Sequence, residues 1–329
     1  MREVSPILLS IVLPVHNEAQ NIGAMADRLA EFAGPVGKYE IIFADDGSMD
    51  GTLAVIKELA ARDKAVRYVV FTRNFGHQAA LRAGLRHARG SAVILMDCDF
   101  EHPPEVLPEL LTEWRNGAEV VLTRRHSPTR LTSAKQLTSK LFYRLLDAIG
   151  DIHIEFGSAD FLLLDRKVVD AINAFDNQDV FLRGLVRWLG FKRSTVLYTA
   201  GTRTSGEPSF TPTRMVELAL SGIVAHSIKP LRLAIYLAFG FAMIGTLLVG
   251  YSLVSFLWIP HTVVGWTSVL GAIAILGAGQ LFVLGVIGEY IGRTLREARK
   301  WPAYIIAETE ADLAGTDSLT PTRGARAGL

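Results

Sequence analysis

The sequence predicts an α/β protein: a Rossmann-like layered sheet domain over residues 1–229, then a two-helix transmembrane hairpin over residues 230–292. Three observations predict it. Short apolar runs ending in polar turns alternate with stretches of helical period, the pattern of βα units around a mostly parallel sheet. Two of those runs end in acidic clusters, Asp45-Asp46 and Asp97-Cys98-Asp99, so chemistry collects at the carboxyl edge of the strands. Two later runs, residues 231–258 and 267–287, are almost pure hydrocarbon, and each exceeds the roughly 20 residues that cross a bilayer.

The elements follow in order. Residues 8–15 are apolar and close with Pro14 and the polar turn His16-Asn17-Glu18. Asn21 is placed to cap a helix carrying Met25, Leu29 and Phe32, which Gly34-Pro35 ends. Residues 39–44 form a second strand that runs into Asp45-Asp46-Gly47-Ser48, and Asp50-Gly51-Thr52 leads into a helix with Leu53, Ile56 and Leu59 on one face. A strand over residues 66–71, a helix over 79–88 and a strand over 92–96 come next. Pro103-Pro104 stops that fourth strand from continuing. Residues 106–114 supply another helix and 119–122 another strand.

Asp97 and Asp99 flank one residue, so in a turn just past the strand both can face one ion. Hard oxygen ligands at an open site suit Mg²⁺ or Mn²⁺ on the phosphates of a nucleotide. The bland alternative is a pair of solvated loop aspartates.

Two amphipathic stretches follow. Residues 130–149 join an apolar stripe (Leu137, Leu141, Leu145) to Arg130, Lys135, Lys140 and Arg144, which fits a helix on the membrane surface or one packed on the sheet. Residues 213–228 are read as a second interfacial helix, broken by Lys229-Pro230. Lys and Arg precede the first apolar span and follow the second, while the linker 259–266 has none. The positive-inside rule then puts the sheet domain and both termini in the cytoplasm, as a multi-pass protein of the inner (plasma) membrane. Gly288 and Gly292 are spaced for close helix packing. Residues 293–329 are expected to be a juxtamembrane segment and, from residue 308, a disordered tail.

The totals agree. Mean hydropathy is +0.27, high because of the segment after residue 230. The net charge of +1 exerts no pull toward nucleic acid, and the single Cys98 excludes an intramolecular disulfide. The N-terminus lacks the basic start and cleavage site of a signal peptide.

The runs Leu13-Pro14-Val15-His16-Asn17-Glu18 and Asp45-Asp46-Gly47-Ser48-Met49-Asp50-Gly51-Thr52, with the D-x-D, resemble family 2 glycosyltransferases of GT-A fold. Arg73-Asn74-Phe75-Gly76-His77-Gln78 and Phe100-Glu101-His102-Pro103-Pro104-Glu105 narrow the resemblance to polyprenyl-phosphate glycosyltransferases, the group of bactoprenol glucosyltransferases and dolichol-phosphate mannose synthases. The similarity continues through Asp160-Phe161-Leu162-Leu163-Leu164-Asp165 and Gly288-Glu289-Tyr290-Ile291-Gly292-Arg293.

The resemblance implies inverting transfer of a sugar from a nucleotide sugar, UDP ahead of GDP, to a polyprenyl phosphate such as undecaprenyl phosphate. The product would serve cell-envelope glycans or lipid modification, and the subunits would form a homotetramer. It also implies roles. Pro14, Asn17, Glu18 and Asp46 hold the base and ribose, with Asp97 on the diphosphate. Asp97 and Asp99 hold the metal, and Glu101 is a third ligand or merely caps its turn. Arg124 and Arg203, with Arg73 behind them, neutralise the acceptor phosphate and diphosphate. Asp160 matches a suggested catalytic base. A lipid phosphate is already largely anionic near neutral pH, with a second pKa of about 6. Asp160 is therefore expected to orient acceptor or sugar more than to take a proton.

Two departures stand out: Leu162 occupies an Arg position of the family, and Pro208-Ser209-Phe210 replaces S-K-Y. Both remove polar groups expected on the acceptor side. Two other readings stay open, a polysaccharide synthase of the same fold and a catalytically silent membrane scaffold that binds nucleotides.

Overall fold

The computed structural model describes residues 8–125, 158–175, 182–199, 229–258, 266–299 and 301–310. The chain divides into two compact units, Met1–Pro128 with Glu155–Glu207 and Pro302–Leu329, and Thr129–Ile154 with Pro208–Trp301.

The first unit is built on one sheet. Its strands are β1 (Leu9–Val15), β2 (Tyr39–Asp45), β3 (Val66–Phe71), β4 (Ala92–Leu95), β5 (Val120–Arg125), β6 (Ser158–Asp165), β7 (Arg193–Tyr198) and β8 (Ile306–Thr309). They lie side by side in the order β7-β5-β6-β4-β1-β2-β3-β8. Pairing is parallel from β4 through β1 and β2 to β3, and between β5 and β7. β6 and β8 are antiparallel to their neighbours, so the expected mostly parallel sheet is a mixed one.

The helices are α1 (Ala19–Ala33), α2 (Thr52–Arg62), α3 (His77–His87), α4 (Leu107–Arg115), α5 (Arg166–Asn173) and α6 (Leu182–Trp188). The pleat of the strands divides them between two faces. Leu9, Ile11, Leu13 and Val15 of β1 pack with Ile22, Met25 and Leu29 of α1, Ile56 of α2 and Leu110 of α4. Val12 points the other way, with Leu81 and Leu85 of α3, Val168 and Ile172 of α5 and Val186 of α6. A sheet covered on both faces must read as continuous hydrocarbon, which is why the strands lack polar alternation. Asn21 does not cap α1: Glu18 occupies the capping position, and Asn21 is buried within the helix, its amide donating to Glu18 Oε2 at 2.6 Å.

The C-terminal segment departs from expectation. Glu308 and Thr309, expected to begin a disordered tail, complete β8 on the open edge of β3. The reason is electrostatic and lies at a distance in sequence. Arg67, almost buried, donates to Glu40 Oε2 at 2.8 Å and to Glu310 Oε1 at 2.5 Å, and Lys57 pairs with Glu308 at 2.6 Å. Ser10 Oγ and the Arg89 N–H serve the other Glu40 oxygen at 2.5 and 2.6 Å. Buried charge persists only where it is paired and hydrogen-bonded, and the acidic C-terminal strand completes that pairing. Tyr304 adds a ring stacked on Phe71, with centroids 4.8 Å apart. The expected interfacial helices near 130–149 and 213–228, and the tail beyond residue 310, lie outside the described residues.

The second unit holds α7 (Lys229–Trp258) and α8 (Trp266–Ala298), the latter continuing well past the end of the apolar run at residue 287. Ala234–Tyr251 and Gly271–Gly292 within them are long and apolar enough to cross a membrane. Ile235, Phe239, Leu247, Leu281 and Leu284 are exposed along the hairpin, as lipid-facing residues would be. The tightest glycine at the α7–α8 contact among the described residues is Gly279, where a Cβ would lie 2.5 Å from the Phe241 ring. Gly288 and Gly292 face open space.

Candidate active site

Three loops at the carboxyl ends of β1, β2 and β3 are tied into one frame. Asn17, in the left-handed region at φ 58°, donates its N–H to Ser48 Oγ and accepts from the Met49 N–H, both at 2.9 Å. The Glu18 N–H donates to Thr52 Oγ1 at 2.8 Å. Asp46 accepts from the Phe75 N–H at 2.6 Å and the Gly76 N–H at 2.9 Å, which anchors the loop after β3. Asp45 beneath it accepts from the Ser48 N–H and hydroxyl. Burial pushes both carboxyls above their ordinary values, and these hydrogen bonds oppose the shift. Gly47 (φ 66°) lets the frame close, because a Cβ there would lie 2.5 Å from the Arg73 carbonyl carbon.

Pro14 lies at the end of β1 in register with Ala44, and Glu18 stands just before α1, its carboxylate accepting from the Asn21 amide. Asn17 and Asp46, expected to contact base and ribose, also tie the frame together through their side chains.

The D-x-D lies just past β4. Asp97, one-third exposed at its side chain, stands 3.6 Å from His77 Nε2 and 3.5 Å from His102 Nδ1. Its own N–H donates to His102 Nδ1 at 2.9 Å, so in the neutral imidazole the proton sits on Nε2. Burial raises the Asp97 carboxyl, and the two imidazoles work against the rise. Asp99 accepts from the Glu101 N–H at 3.0 Å across Phe100, whose φ is 63°. Glu101 turns instead to Arg125 at 3.3 Å. Among the described residues no three His, Cys, Asp or Glu side chains converge to hold a metal, so the expected Asp97–Asp99–Glu101 triad is not a preformed site. Two hard carboxylates without a third suit an ion that phosphate oxygens help to hold.

Asp160, 5% exposed on β6, lies on the same sheet face as Leu162 and Leu164. Because β6 is antiparallel to β4, its beginning lies at the edge where β4 ends. Arg183 grips Asp160 through two nitrogens, Nε on Oδ1 and Nη2 on Oδ2 at 2.6 Å. His77 Nε2 stands 3.3 Å from Oδ2, and the Gln78 amide donates to it at 3.5 Å. Burial opposes the charged form, but the hydrogen bonds from Arg183 and His77 outweigh it and hold this carboxyl well below the usual range. The same pairing raises His77 above its ordinary value against burial. Asp97, His77, Asp160 and Arg183 thus form one line of contacts.

The basic residues are less tightly placed. Arg124 is exposed, in register with Leu197, itself 55% exposed. Arg73 is exposed with its guanidinium over the Phe75 ring at 4.2 Å. Arg203, and the departure at residues 208–210, fall outside the described residues.

The glycosyl transferase family 2 model matches residues 10–172, and the model of the GtrB C-terminal hairpin matches residues 229–294. The glycosyltransferase YkcC of Bacillus subtilis is 38% identical over 304 residues, 92% of this chain and 94% of its own. The bactoprenol glucosyl transferase of Shigella phage SfV is 38% identical over 300 residues, covering 91% of this chain and 97% of that one. A prophage bactoprenol glucosyl transferase homolog of Escherichia coli K12 is 37% identical, with coverage of 91% and 98%. The chain belongs to glycosyl transferase family 2.

The matched segment of this glycosyltransferase carries Asp46, His77, Asp97, Asp99 and Asp160 but stops short of Arg183. Leu162 also changes meaning. It is 1% exposed, in register with Leu95 and Leu122, so it belongs to the core, and the guanidinium beside Asp160 comes from α6. Sequence reading quoted His77 and Gln78 only as parts of a motif, and it missed His102 and Arg183 as site residues. His102 packs its ring on Phe161 (centroids 5.1 Å apart, 22° between planes) and backs Asp97. A histidine between a D-x-D and a Pro pair was the available signal for His102. For Arg183 there was none, since nothing local marks an arginine at the start of a seven-residue helix.

Proposed function

We propose that this glycosyltransferase moves a sugar, with inversion, from a nucleotide sugar to a polyprenyl phosphate at the cytoplasmic face of the inner membrane. The observation that carries the reading is coverage. The bactoprenol glucosyl transferases align at 37–38% identity over 91% of the chain or more, through the carboxylate edge and the hairpin alike. UDP is preferred to GDP as the donor nucleotide.

The chemistry of the edge supports this. Asp97 and Asp99 would hold Mg²⁺ or Mn²⁺ on the donor diphosphate, where a divalent ion stabilises the charge that grows on the leaving nucleotide. Glu101 is left to Arg125. Asp160, held by Arg183 and kept acidic, is a poor proton acceptor and a good hydrogen-bond acceptor, which suits orienting a sugar or acceptor rather than abstracting a proton. An anionic phosphate nucleophile needs placement and charge neutralisation, and the exposed Arg124 beside exposed Leu197 offers a cation next to an apolar surface. Arg203 and Arg73 would add further cations.

The charge pattern supports the orientation: Lys and Arg precede the first apolar run and follow the second, while the linker 259–266 has none. The open faces at Gly288 and Gly292 support association of hairpins into a homotetramer.

Calorimetry tests the donor half. UDP-sugar binding should require Mn²⁺ or Mg²⁺ and should be lost or greatly weakened in Asp99→Ala whether or not metal is added; metal-independent binding in the parent would contradict the reading. Cysteine placed at position 262 should react with an impermeant thiol reagent from outside intact cells, and protection there would contradict the orientation.

A further inference from the structure

Asp160 is committed to partners before any substrate arrives. Its carboxylate receives Nε and Nη2 of Arg183 side by side, the Gln78 amide, and the imidazole of His77. Arg183 is itself placed by the backbone around it. The Leu182 N–H, at the start of α6, donates to Gln78 Oε1 at 3.1 Å, so the amide that reaches Asp160 also fixes the helix carrying Arg183. Leu182 and Val186 anchor α6 in the core with Leu81 and Leu85 of α3, the helix that begins at His77. The carboxylate, the guanidinium and the imidazole are therefore set against one another by α3, α6 and β6. On the face of β6 that carries Asp160 the next residue inward is Leu162, so β6 supplies no cation of its own.

We infer that Arg183 is a positioning residue for the transfer reaction: it fixes the Asp160 carboxylate as an aimed hydrogen-bond acceptor beside Asp97, and it acts only through Asp160. A bidentate guanidinium fixes both the tilt and the rotation of a carboxylate, which a single ammonium cannot do. With the carboxylate so held, its orientation is set before any substrate arrives, with His77 between it and Asp97. Arg183 touches no reacting atom in this account. The inference rests on the proposed transfer activity and adds to it the residue that determines how Asp160 works.

The test is a kinetic cycle with Arg183→Met, Arg183→Lys, Asp160→Asn and the double variant Asp160→Asn/Arg183→Met. The purified full-length chain is used, with UDP-sugar and undecaprenyl phosphate as substrates. Misplacing a reacting group by an ångström costs on the order of 10²-fold in rate. Arg183→Met should therefore lower kcat by about 10²-fold, while donor KM changes by less than about 3-fold, because the donor contacts are left in place. Arg183→Lys, which restores charge but not the fork, should recover about one-tenth to one-third of the parent kcat. The decisive result is non-additivity: in the Asp160→Asn background, Arg183→Met should change kcat by less than about 2-fold.

Additive losses in the double variant would overturn the inference, since Arg183 would then act independently of Asp160. An active parent whose Arg183→Met variant keeps its kcat would overturn it as well. So would a loss shared equally by kcat and melting temperature that lysine does not rescue, which would mark a structural ion pair. A parent that makes no lipid-linked sugar would sink the functional reading instead, and the two failures are distinguishable.

Discussion

Substituting Gly47 by alanine probes the frame of the donor site without touching any acidic group. Gly47 lies between Asp46 and Ser48 at φ 66°, and an added Cβ would be 2.5 Å from the Arg73 carbonyl carbon, 2.8 Å from its Cα and 2.9 Å from Asn74 N. All three atoms are backbone, so no rotamer change relieves the contact. Left-handed backbone costs an alanine roughly 1–2 kcal/mol, and pushing a packed neighbour aside costs about 1–3 kcal/mol more. Even the low end, about 2 kcal/mol, corresponds to about 30-fold in an equilibrium constant.

The segment that must give way carries the Phe75 and Gly76 N–H groups bound to Asp46, followed by His77 beside Asp97 and Asp160. The cost should therefore appear in donor binding. Calorimetry of detergent-solubilised Gly47→Ala with UDP-sugar and Mn²⁺ should show Kd raised about 30-fold. The melting temperature should also fall by several degrees, because the folded state carries the strain whether or not donor is bound. Gly47→Asn separates the two causes, since asparagine tolerates positive φ but brings the same Cβ. It should be nearly as damaging as alanine. Parent-like affinity in either variant would refute the close approach.

Three further outcomes follow from the geometry. Arg67→Met should cost roughly 3–5 kcal/mol of stability, because it leaves the buried Glu40 without its cation and frees Glu310, and thermal melting of the full chain measures it. Asp160, with its native pKa depressed, contributes stability that is fully present above its unfolded value of about 4 and is lost as pH falls through the native value. Asp160→Asn should then melt below the parent at pH 7, with the gap closing only below about pH 4. Glu101→Gln should keep metal-dependent donor binding, since Glu101 is turned to Arg125, whereas Asp97→Asn should lose it; equal losses in titration calorimetry would restore Glu101 as a ligand.

Much of this molecule is visible in its sequence, and the parts that are not share a physical cause. Hydrocarbon runs such as those around Ile11, Ile42 and Ile94 mark strands because a sheet covered on both faces buries nearly every position, and the polar Ser10, Glu40 and Arg67 among them are paired. The acidic turns at Asp46 and Asp97 mark the chemical edge because strands stop where charge begins. The two long apolar helices are legible from the length of their hydrocarbon runs. The structure differs wherever a residue's role depends on a partner far along the chain. Glu310 looks like tail composition until Arg67 and Glu40 are seen to need it, and β8 follows from that pairing. Asn17 and Asp46 read in sequence as ligand-binding groups, and their second task, holding the N–H groups of Met49, Phe75 and Gly76, is visible only in the fold. Leu162 reads as a lost polar group only until its strand is placed, after which it is core and Arg183 stands by Asp160. Local pattern gives elements and edges; pairing across the chain decides which charged groups are free to act.

The central claim is tested most directly by transfer. Purified, detergent-solubilised protein is given undecaprenyl phosphate, Mg²⁺ or Mn²⁺, and a panel of radiolabelled UDP- and GDP-sugars, and the product is extracted into organic solvent. The account predicts label in the organic phase with one UDP-sugar, lost on adding EDTA and lost in Asp99→Ala. Donor binding with no lipid-soluble product from any nucleotide sugar would contradict it and leave a membrane-bound nucleotide scaffold in its place.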